Sequence, residues 1–390
     1  MNIIKNEIKK VFNLTNIMVA TIATILIWIL FISFYIDYFP NGNPMTEHFN
    51  NAVYMLKNYG IEMDENEFKK YKKYREEKVK EANEYLSNNE ECIKLGMTTY
   101  KDYKSMKYKD DNHKKEIDEL RNKIMFDYHI DVFWEIEAID YEIDRYENKE
   151  WWMLATEESA KSYNLSDNKL NRHKELANSN NSNSPLNFVV HENYDGLITK
   201  VNVLIIITIV IMISPIFIKD NKNKVNYLQY SSKVGRNIFN KKIISGVISS
   251  IIIITLQLAI LFIIYAKNNT YMFWNSSINS VFNDMISWYD MTFGQYIILS
   301  VILTYILGVL FSIIVMFISS RVSTYISLIG IQIPIVFLIS KLINSIGWMK
   351  RLTDTYRPKY FIHSVYFMII VLSILLMYIM ARREKNLDIK

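Results

Sequence analysis

The chain has one cysteine, six prolines and ten glycines in 390 residues. The single thiol, Cys92, has no intrachain partner, so no disulfide framework staples the fold, and it reads as an ordinary half-buried side chain. So little proline and glycine leaves few turns for a loop-rich β architecture. No glycine is followed by lysine, which removes the phosphate-binding loop G-x-x-x-x-G-K-[ST] and ATP hydrolysis by that route. No His-Glu-x-x-His motif occurs either. His129, Asp131 and Glu135 sit close together, but such spacing is common on charged helices and predicts no metal site.

Charge is also missing, but only from part of the chain. The mean hydropathy of +0.03 and the net charge of +5 resemble those of a soluble protein. These averages mix two populations. Residues 37–200 hold 24 Lys and Arg against 33 Asp and Glu, a net charge of −9. The remaining residues hold 21 basic and 7 acidic groups, a net charge of +14. A single globular enzyme domain does not segregate charge in this way, and nucleic-acid binding is not the meaning of the basic balance.

Within the basic population, six stretches are apolar and free of Asp, Glu, Lys and Arg: 17–36, 201–218, 243–266, 297–319, 322–340 and 360–381. A helix needs about 20 such residues to cross ~30 Å of hydrocarbon. The first stretch is too long for a secretory signal and lacks a small-x-small cleavage site, so it reads as a retained anchor. The absence of charge inside these stretches counts against a proton-relay pump or an ion-coupled carrier. Their main polar residues are Gln257, Gln332 and His363, candidates for interhelical hydrogen bonds or pathway contacts.

Lysine and arginine near the span ends set orientation. With a cytoplasmic N-terminus, the inner segments hold 15 basic residues and the short outer loops hold 6. Five of those six cluster in 341–359, against the rule. Ahead of the first span, Ile4, Ile8 and Phe12 fall at helical spacing among Lys5, Lys9 and Lys10, a pattern that suits an amphipathic helix over 1–16 lying in the membrane interface.

The fold expected is therefore an all-α polytopic membrane protein with six transmembrane helices and cytoplasmic termini. A helical extracytoplasmic domain, 37–198, is inserted between spans one and two, and spans two to six occupy 199–390. Within the insert, apolar residues recur at helical spacing over 64–88 and at every three or four positions over 113–148. This predicts a hairpin of two long helices, the second reaching ~54 Å, with Asp64 and Asp111 as N-caps. Its aromatics Phe133, Trp134, Trp151 and Trp152 read as core or rim. The run Asn-Ser-Asn-Asn-Ser-Asn-Ser at 178–184, with Pro185, reads as a flexible linker.

The loop at 219–242 is longer than retention of positive charge requires. It opens with Asp220 and carries Tyr227, Leu228 and Tyr230 in a weakly amphipathic segment. It turns near Lys233 and ends in a basic run from Arg236 to Lys242 ahead of the third span. This order resembles permeases of the ABC exporter family, ABC-2 type. Asp220 stands where that family usually has Glu, and no proline precedes Arg236. The resemblance implies that the loop is a coupling helix docking on a separate cytoplasmic ATPase subunit, present in two copies. ATP and Mg would be bound by that partner, with no cofactor in this chain. A second permease copy, identical or homologous, would complete a pathway embedded in lipid, in a bacterial cytoplasmic membrane.

The resemblance also implies a re-entrant segment between spans five and six. Ile343, Ile346 and Trp348 would then close an outer gate within 341–359. The cargo best matched to uncharged spans is hydrophobic or amphipathic: a peptide or bacteriocin, a drug or a lipid. The alternative is a non-transporting receptor, immunity or secretion-accessory protein on the same scaffold. An intramembrane enzyme finds no catalytic constellation. A cysteine scan of 343–349 tests the gate: shielding in at least one functional state is expected, and free labelling by water-soluble reagents in every state removes it.

Overall fold

A computed structural model describes residues 2–222, 235, 237–346 and 351–386. Among the described residues the regular structure is helical and no strand is present; Ser277 pairs with Thr292 in an isolated bridge. It divides into two compact units. The first comprises Met1–Tyr38, Glu192–Tyr271 and Gln295–Lys390; the second comprises Phe39–His191 and Met272–Gly294.

The first unit holds the helices that are long and apolar enough to cross a membrane: Leu14–Ile32, Phe188–Asp220, Asn237–Asn268, Phe293–Ser319, Tyr325–Asn344 and Phe361–Glu384, numbered spans 1 to 6. They coincide with the six charge-poor stretches of the sequence. Helices are the expected form, because hydrocarbon offers no partner to an unpaired backbone N–H or C=O. Span 2 starts well before the apolar stretch at 201. Its first turns carry Glu192, Asp195 and Lys200, which stay helical because each finds a partner. Span 2 is also the hub: 72% of its apolar window is buried, against 50% for span 4, 33% for span 3, 17% for spans 5 and 6 and 11% for span 1.

Lipid tails are as apolar as leucine, so spans associate through close packing and polar ties rather than through the hydrophobic effect. Both are present. A Cβ on Gly246 of span 3 would come within 2.3 Å of Met316 Sδ in span 4, and one on Gly308 of span 4 within 2.6 Å of Ile254 in span 3. Span 2 is tied to span 4 through Asn202 Nδ2, which donates to Thr304 Oγ1 at 3.1 Å. A helix of ten residues, α1 (Asn2–Val11), precedes span 1 and packs on span 3 and on the end of span 2.

The second unit contains α2 (Met45–Tyr59), α3 (Glu65–Asn88), α4 (Asp111–Asn122), α5 (Asp131–Glu147) and α6 (Asp167–Ala177), with shorter helices between them. Asp64 caps α3 in a capping box with Glu67, as expected. The cap of α4 is Asp110 rather than Asp111, its carboxylate accepting from His113 N–H at 2.8 Å. The single long helix expected over 113–148 is instead two. After α4 a π turn runs from Lys123 to Asp127, His129 takes a left-handed φ of 51°, and Ile130 N–H closes on the Ile124 carbonyl. This stop lets Trp134 Nε1 donate back to the Met125 carbonyl and buries Phe133 beside Tyr103 and Leu86. Of the other aromatics, Trp152 is half-buried and Trp151 is exposed. Cys92 lies in the same cluster, and burial pushes its thiol up to about 11.

The 178–184 stretch is not a flexible linker. It forms a short 3-10 turn, Asn180–Asn183, with Ser182 and Ser184 fully buried. The Asn183 carbonyl accepts from Met63 N–H, and the Ser182 carbonyl accepts from Val281 N–H. Small polar side chains and free carbonyls here replace the bonds that regular structure would make. The partner is the segment 272–294, which lies in the sequence between spans 3 and 4. Val281 and Phe282 join the core formed by Met55, Tyr71, Ile139 and Leu176. Arg145, only 4% exposed, fixes this segment: it donates to the Val281 carbonyl, to Asn283 O at 3.4 Å and to Asp284 at 2.7 Å.

One turn before Arg145 lies Glu142, fully buried, with its Oε1 3.2 Å from His48 Nδ1 of α2. Burial lifts the Glu142 carboxyl above its ordinary range, and His48 and Arg145 pull it partly back. The folded unit thus holds this proton more tightly than the unfolded chain. The stability it contributes is complete below the ordinary value of 4.5 and is lost as pH rises through the folded value. Glu142→Gln, which has no proton to lose, should match the wild type near pH 4 and gain on it as pH rises above the ordinary carboxylate range. Five of the seven tryptophans lie in this unit, so denaturant unfolding of the purified chain followed by fluorescence reads it. A gain independent of pH would contradict the assignment.

Candidate functional site

Three features of the span unit bring together residues able to act, and span 2 contributes to each. The first is a charged clasp at its last turn. Asp220 and Lys242 lie on either side of the 219–242 loop, and their side chains pair at 2.6 Å. Both are nearly fully buried, at 4% and 3% exposure. Lys10 of α1 reaches Asp220 at 3.4 Å and pairs with Glu7 at 2.7 Å. Burial works against the Lys10 charge, and Glu7 and Asp220 outweigh it, so its ammonium is held above the ordinary lysine range. Lys242 also lies over the Phe217 ring, and Ser245 Oγ donates to the Ile4 carbonyl at 3.3 Å. The loop ends, the end of span 2, the start of span 3 and α1 are therefore one electrostatic unit.

This arrangement turns α1 differently from its amphipathic pattern. Glu7 and Val11 face the protein and are buried, whereas Ile4, Ile8 and Phe12 are only half-buried. An acid beside lysines on a helix normally seeks water. Here it is drawn inward by cations that need a counter-charge. Tyr227, Leu228, Tyr230, Lys233 and Arg236 lie outside the described residues.

The second feature is an apolar groove of about 430 Å³ between spans 2 and 5. Ile207, Val210 and Ile211 line one side, and Ile329, Ile333, Val336 and Phe337 line the other. Its polar residues are Gln332 and Ser340. Gln332 is both an interhelical tie and a groove residue: its Nε2 donates to Ser214 Oγ at 2.8 Å. Ser214 sits at a break in span 2, where the helix Phe188–Ile213 gives way to Pro215–Lys222. Pro215 has no N–H and suits a first helical position. Ser319 Oγ of span 4 donates to the Ser214 carbonyl, so the break is also the point where spans 2, 4 and 5 are knotted. Gln257 of span 3 lies elsewhere and donates to Thr208 Oγ1 of span 2 at 2.7 Å. His363 is exposed near the start of span 6, its ring 6.0 Å from that of Tyr360.

The third feature, at the opposite end of span 2, was not legible from spacing. Asp195 is 2% exposed and accepts from Tyr296 OH of span 4 and from the backbone N–H of Arg351, at 2.6 Å. Arg351 reaches Glu192 at 3.1 Å and Asp354 at 3.4 Å. Burial opposes its charge, but Asp354 and Glu192 more than restore it. Burial also raises the Asp354 carboxyl, against the pull of Arg351 and Arg357. The basic cluster of 341–359 that broke the charge rule is thus partly neutralised by acids from span 2 and from its own segment. Lys200 Nζ donates to Asn344 Oδ1 at 2.7 Å. Ile343 is fully buried in a π turn, Leu342–Ile346; the Ile346 side chain and Trp348 lie outside the described residues.

Among the described residues, no group of His, Cys, Asp and Glu could hold a metal ion. Comparison with protein-family models, curated proteins and solved structures gave no match. The site is therefore interpreted from its own chemistry: a charge clasp, an apolar groove and a buried carboxylate, joined along one helix.

The clasp makes a ranked prediction. Removing one member of a buried ion pair strands the other, at a cost of about 3–5 kcal/mol. Asp220→Ala strands the buried Lys242 and leaves Lys10 with Glu7 alone, so it should destabilise more than Lys242→Ala, which leaves Asp220 with Lys10. Asp220→Asn combined with Lys242→Met should recover most of the loss. Thermal unfolding of the detergent-purified protein measures the order; two single variants indistinguishable from wild type would refute the clasp.

Proposed function

We propose that the chain is the membrane-spanning permease subunit of an ATP-binding cassette exporter of the ABC-2 type, in a bacterial cytoplasmic membrane. It would be driven by a separate ATPase subunit present in two copies. The clasp is the observation that carries this reading. A loop whose two ends are bound to each other and to α1 by buried charges transmits a push on the loop to spans 2 and 3 together. A loop serving only to retain positive charge on one side needs no such construction. Lysines are counted by the positive-inside rule whether or not they are paired.

The groove supports an apolar or amphipathic cargo. Its walls are branched aliphatic and aromatic side chains, with Gln332 as a hydrogen-bonding group on the side nearer the helix break. Ile326, Ile329, Ile333 and Phe337 of span 5 are 53–86% exposed and form one face of the helix. A second permease copy, or lipid, would cover that face. In this reading both termini and the 219–242 loop are cytoplasmic, and the inserted acidic unit is extracytoplasmic. The chain binds no nucleotide itself, and ATP and Mg belong to the partner.

Co-purification with a P-loop ATPase from the host membrane is the test. The permease should raise ATPase turnover, and Leu228→Asp with Arg236→Glu should abolish the increase while leaving the permease folded. Stimulation that survives both substitutions overturns the coupling assignment. Failure to capture any ATPase would favour a receptor or immunity role for the same scaffold.

A further inference from the structure

The groove between spans 2 and 5 is apolar along its length and cationic at one end. Its span-5 wall follows one helix face through Ile329, Ile333 and Phe337 and ends at Ser340. Those three apolar side chains are 53–72% exposed, so the groove opens along the surface of the span unit. From Ile329 to Ser340 the helix rises about 16 Å, half of the ~30 Å hydrocarbon core. A pathway across the membrane needs the full thickness; a groove half as long fits a chain anchored at one interface. Gln332 is 5% exposed and its amide is bonded to Ser214, so contacts inside the groove are mainly with hydrocarbon. The cationic end lies just past Ser340. Lys341 follows Phe337 by one turn on the same face. It is exposed, and its ammonium has no partner among the described residues. The other wall supplies Lys200, seven residues before Ile207 on span 2. Its Nζ donates to Asn344 Oδ1 at 2.7 Å, and Asn344 Nδ2 donates to the Ser340 carbonyl at 2.7 Å, which joins the two walls at this end. Lysines at a span end keep their stems on apolar surface and reach the membrane interface with their charge.

We propose that this groove is the binding site of one anionic phospholipid, resident in the fold rather than carried as cargo. One acyl chain lies between spans 2 and 5, its phosphate pairs with Lys341, and Lys200 beside Asn344 adds positive potential. A neutral apolar molecule would satisfy the walls and leave Lys341 without a counter-charge. A second copy of the chain on this face would bring a second uncompensated Lys341 to the same interface. An anionic phospholipid answers both the walls and the charge. The inference needs the spans to lie in a bilayer but does not rest on the permease reading. Under that reading, a cargo using the groove enters by displacing the lipid.

The test is native mass spectrometry of the detergent-purified full-length chain, incubated with phosphatidylglycerol or with phosphatidylcholine of the same acyl chains. One phosphatidylglycerol per chain should be retained in preference to phosphatidylcholine. Lys341→Gln should weaken that retention about five-fold, the effect of one interfacial lysine on an anionic lipid, and Lys341→Arg should preserve it. Val336→Trp, which fills the groove, should abolish retention of either lipid. Lys267→Gln and Ile263→Trp, at an exposed cation and an exposed apolar position of span 3, should change nothing. Equal retention of the two lipids by the wild type overturns the proposal, as does retention indifferent to both Lys341→Gln and Val336→Trp. A lipid-free dimer that Val336→Trp dissociates also overturns it, by showing that a second copy covers the groove. Specific retention in a chain that stimulates no ATPase would leave the lipid site standing and count against the permease reading alone.

Discussion

A charge at the end of a membrane-spanning helix must either reach water or meet a counter-charge, and in this chain the second solution organises the span unit. Span 2 ends in Asp220 and begins with Glu192 and Asp195, three acids in a unit otherwise rich in lysine and arginine. Each meets cationic or hydrogen-donating groups from other segments: Lys10 and Lys242 at one end, Arg351 and Tyr296 at the other. The apolar middle of the helix provides insertion but little selectivity between neighbours, because lipid competes equally for its side chains. The polar ends, the glycine contacts of spans 3 and 4 and the few mid-span hydrogen bonds therefore decide which helix lies beside which. This explains why span 2 is so deeply buried while spans 1, 5 and 6 present much of their surface outward.

The inserted unit follows the rules of a water-soluble domain. Its core is aromatic and aliphatic, each fully buried Leu, Ile or Phe contributing about 1.5–3 kcal/mol. Its charges pair across helices on the surface, as Lys78 does with Glu135 and Lys104 with Asp140. What distinguishes it is the share of order that comes from serine and asparagine. Ser184 and Ser280 bond across the segments 178–184 and 272–294, and Asn279 is fully buried with its amide donating to the Tyr289 carbonyl. Composition of this kind fits a flexible linker when read alone. It fits a packed, irregular segment when a second strip of the same composition lies opposite to satisfy it.

The spans were legible because about 20 uncharged apolar residues admit only one reading, and the start of α3 because Asp64 and Glu67 make a recognised cap. The break between α4 and α5 was hidden because an apolar step of three or four persists through the π turn; periodicity records which residues face inward, not whether the helix is continuous. The early start of span 2 was hidden because Glu192, Asp195 and Lys200 read as the end of a soluble insert, and only their partners, Arg351, Tyr296 and Asn344, make them compatible with a packed helix. At the candidate site, position and residue type singled out Asp220, Lys242 and Gln332 as candidates, but not the pairing that buries the first two. Glu7 and Asp195 were not singled out, since a buried acid is identified by a distant counter-group that no local window contains.

The clasp, the groove and the buried carboxylate follow one another along span 2, and the helix break lies between the clasp and the groove. Pro215 leaves the Ile211 carbonyl without its helical N–H, so the hydrogen-bond ladder of the helix is interrupted there. Ser214, at that turn, is bonded to Gln332 of span 5 and through its carbonyl to Ser319 of span 4. A displacement of the short segment Pro215–Lys222 cannot be absorbed silently by bending at Pro215, because bending moves Ser214 and hence strains two other helices. One of those helices forms the far wall of the groove. Mechanical work delivered at residue 220 would therefore reach the groove as a change in the separation of spans 2 and 5, without any charge entering the hydrocarbon. A hinge left unbonded would lose that work as local flexing. The polar knot at the break converts a weak point into a joint, and this favours reading the sparse polarity of these spans as mechanical rather than as ion-binding.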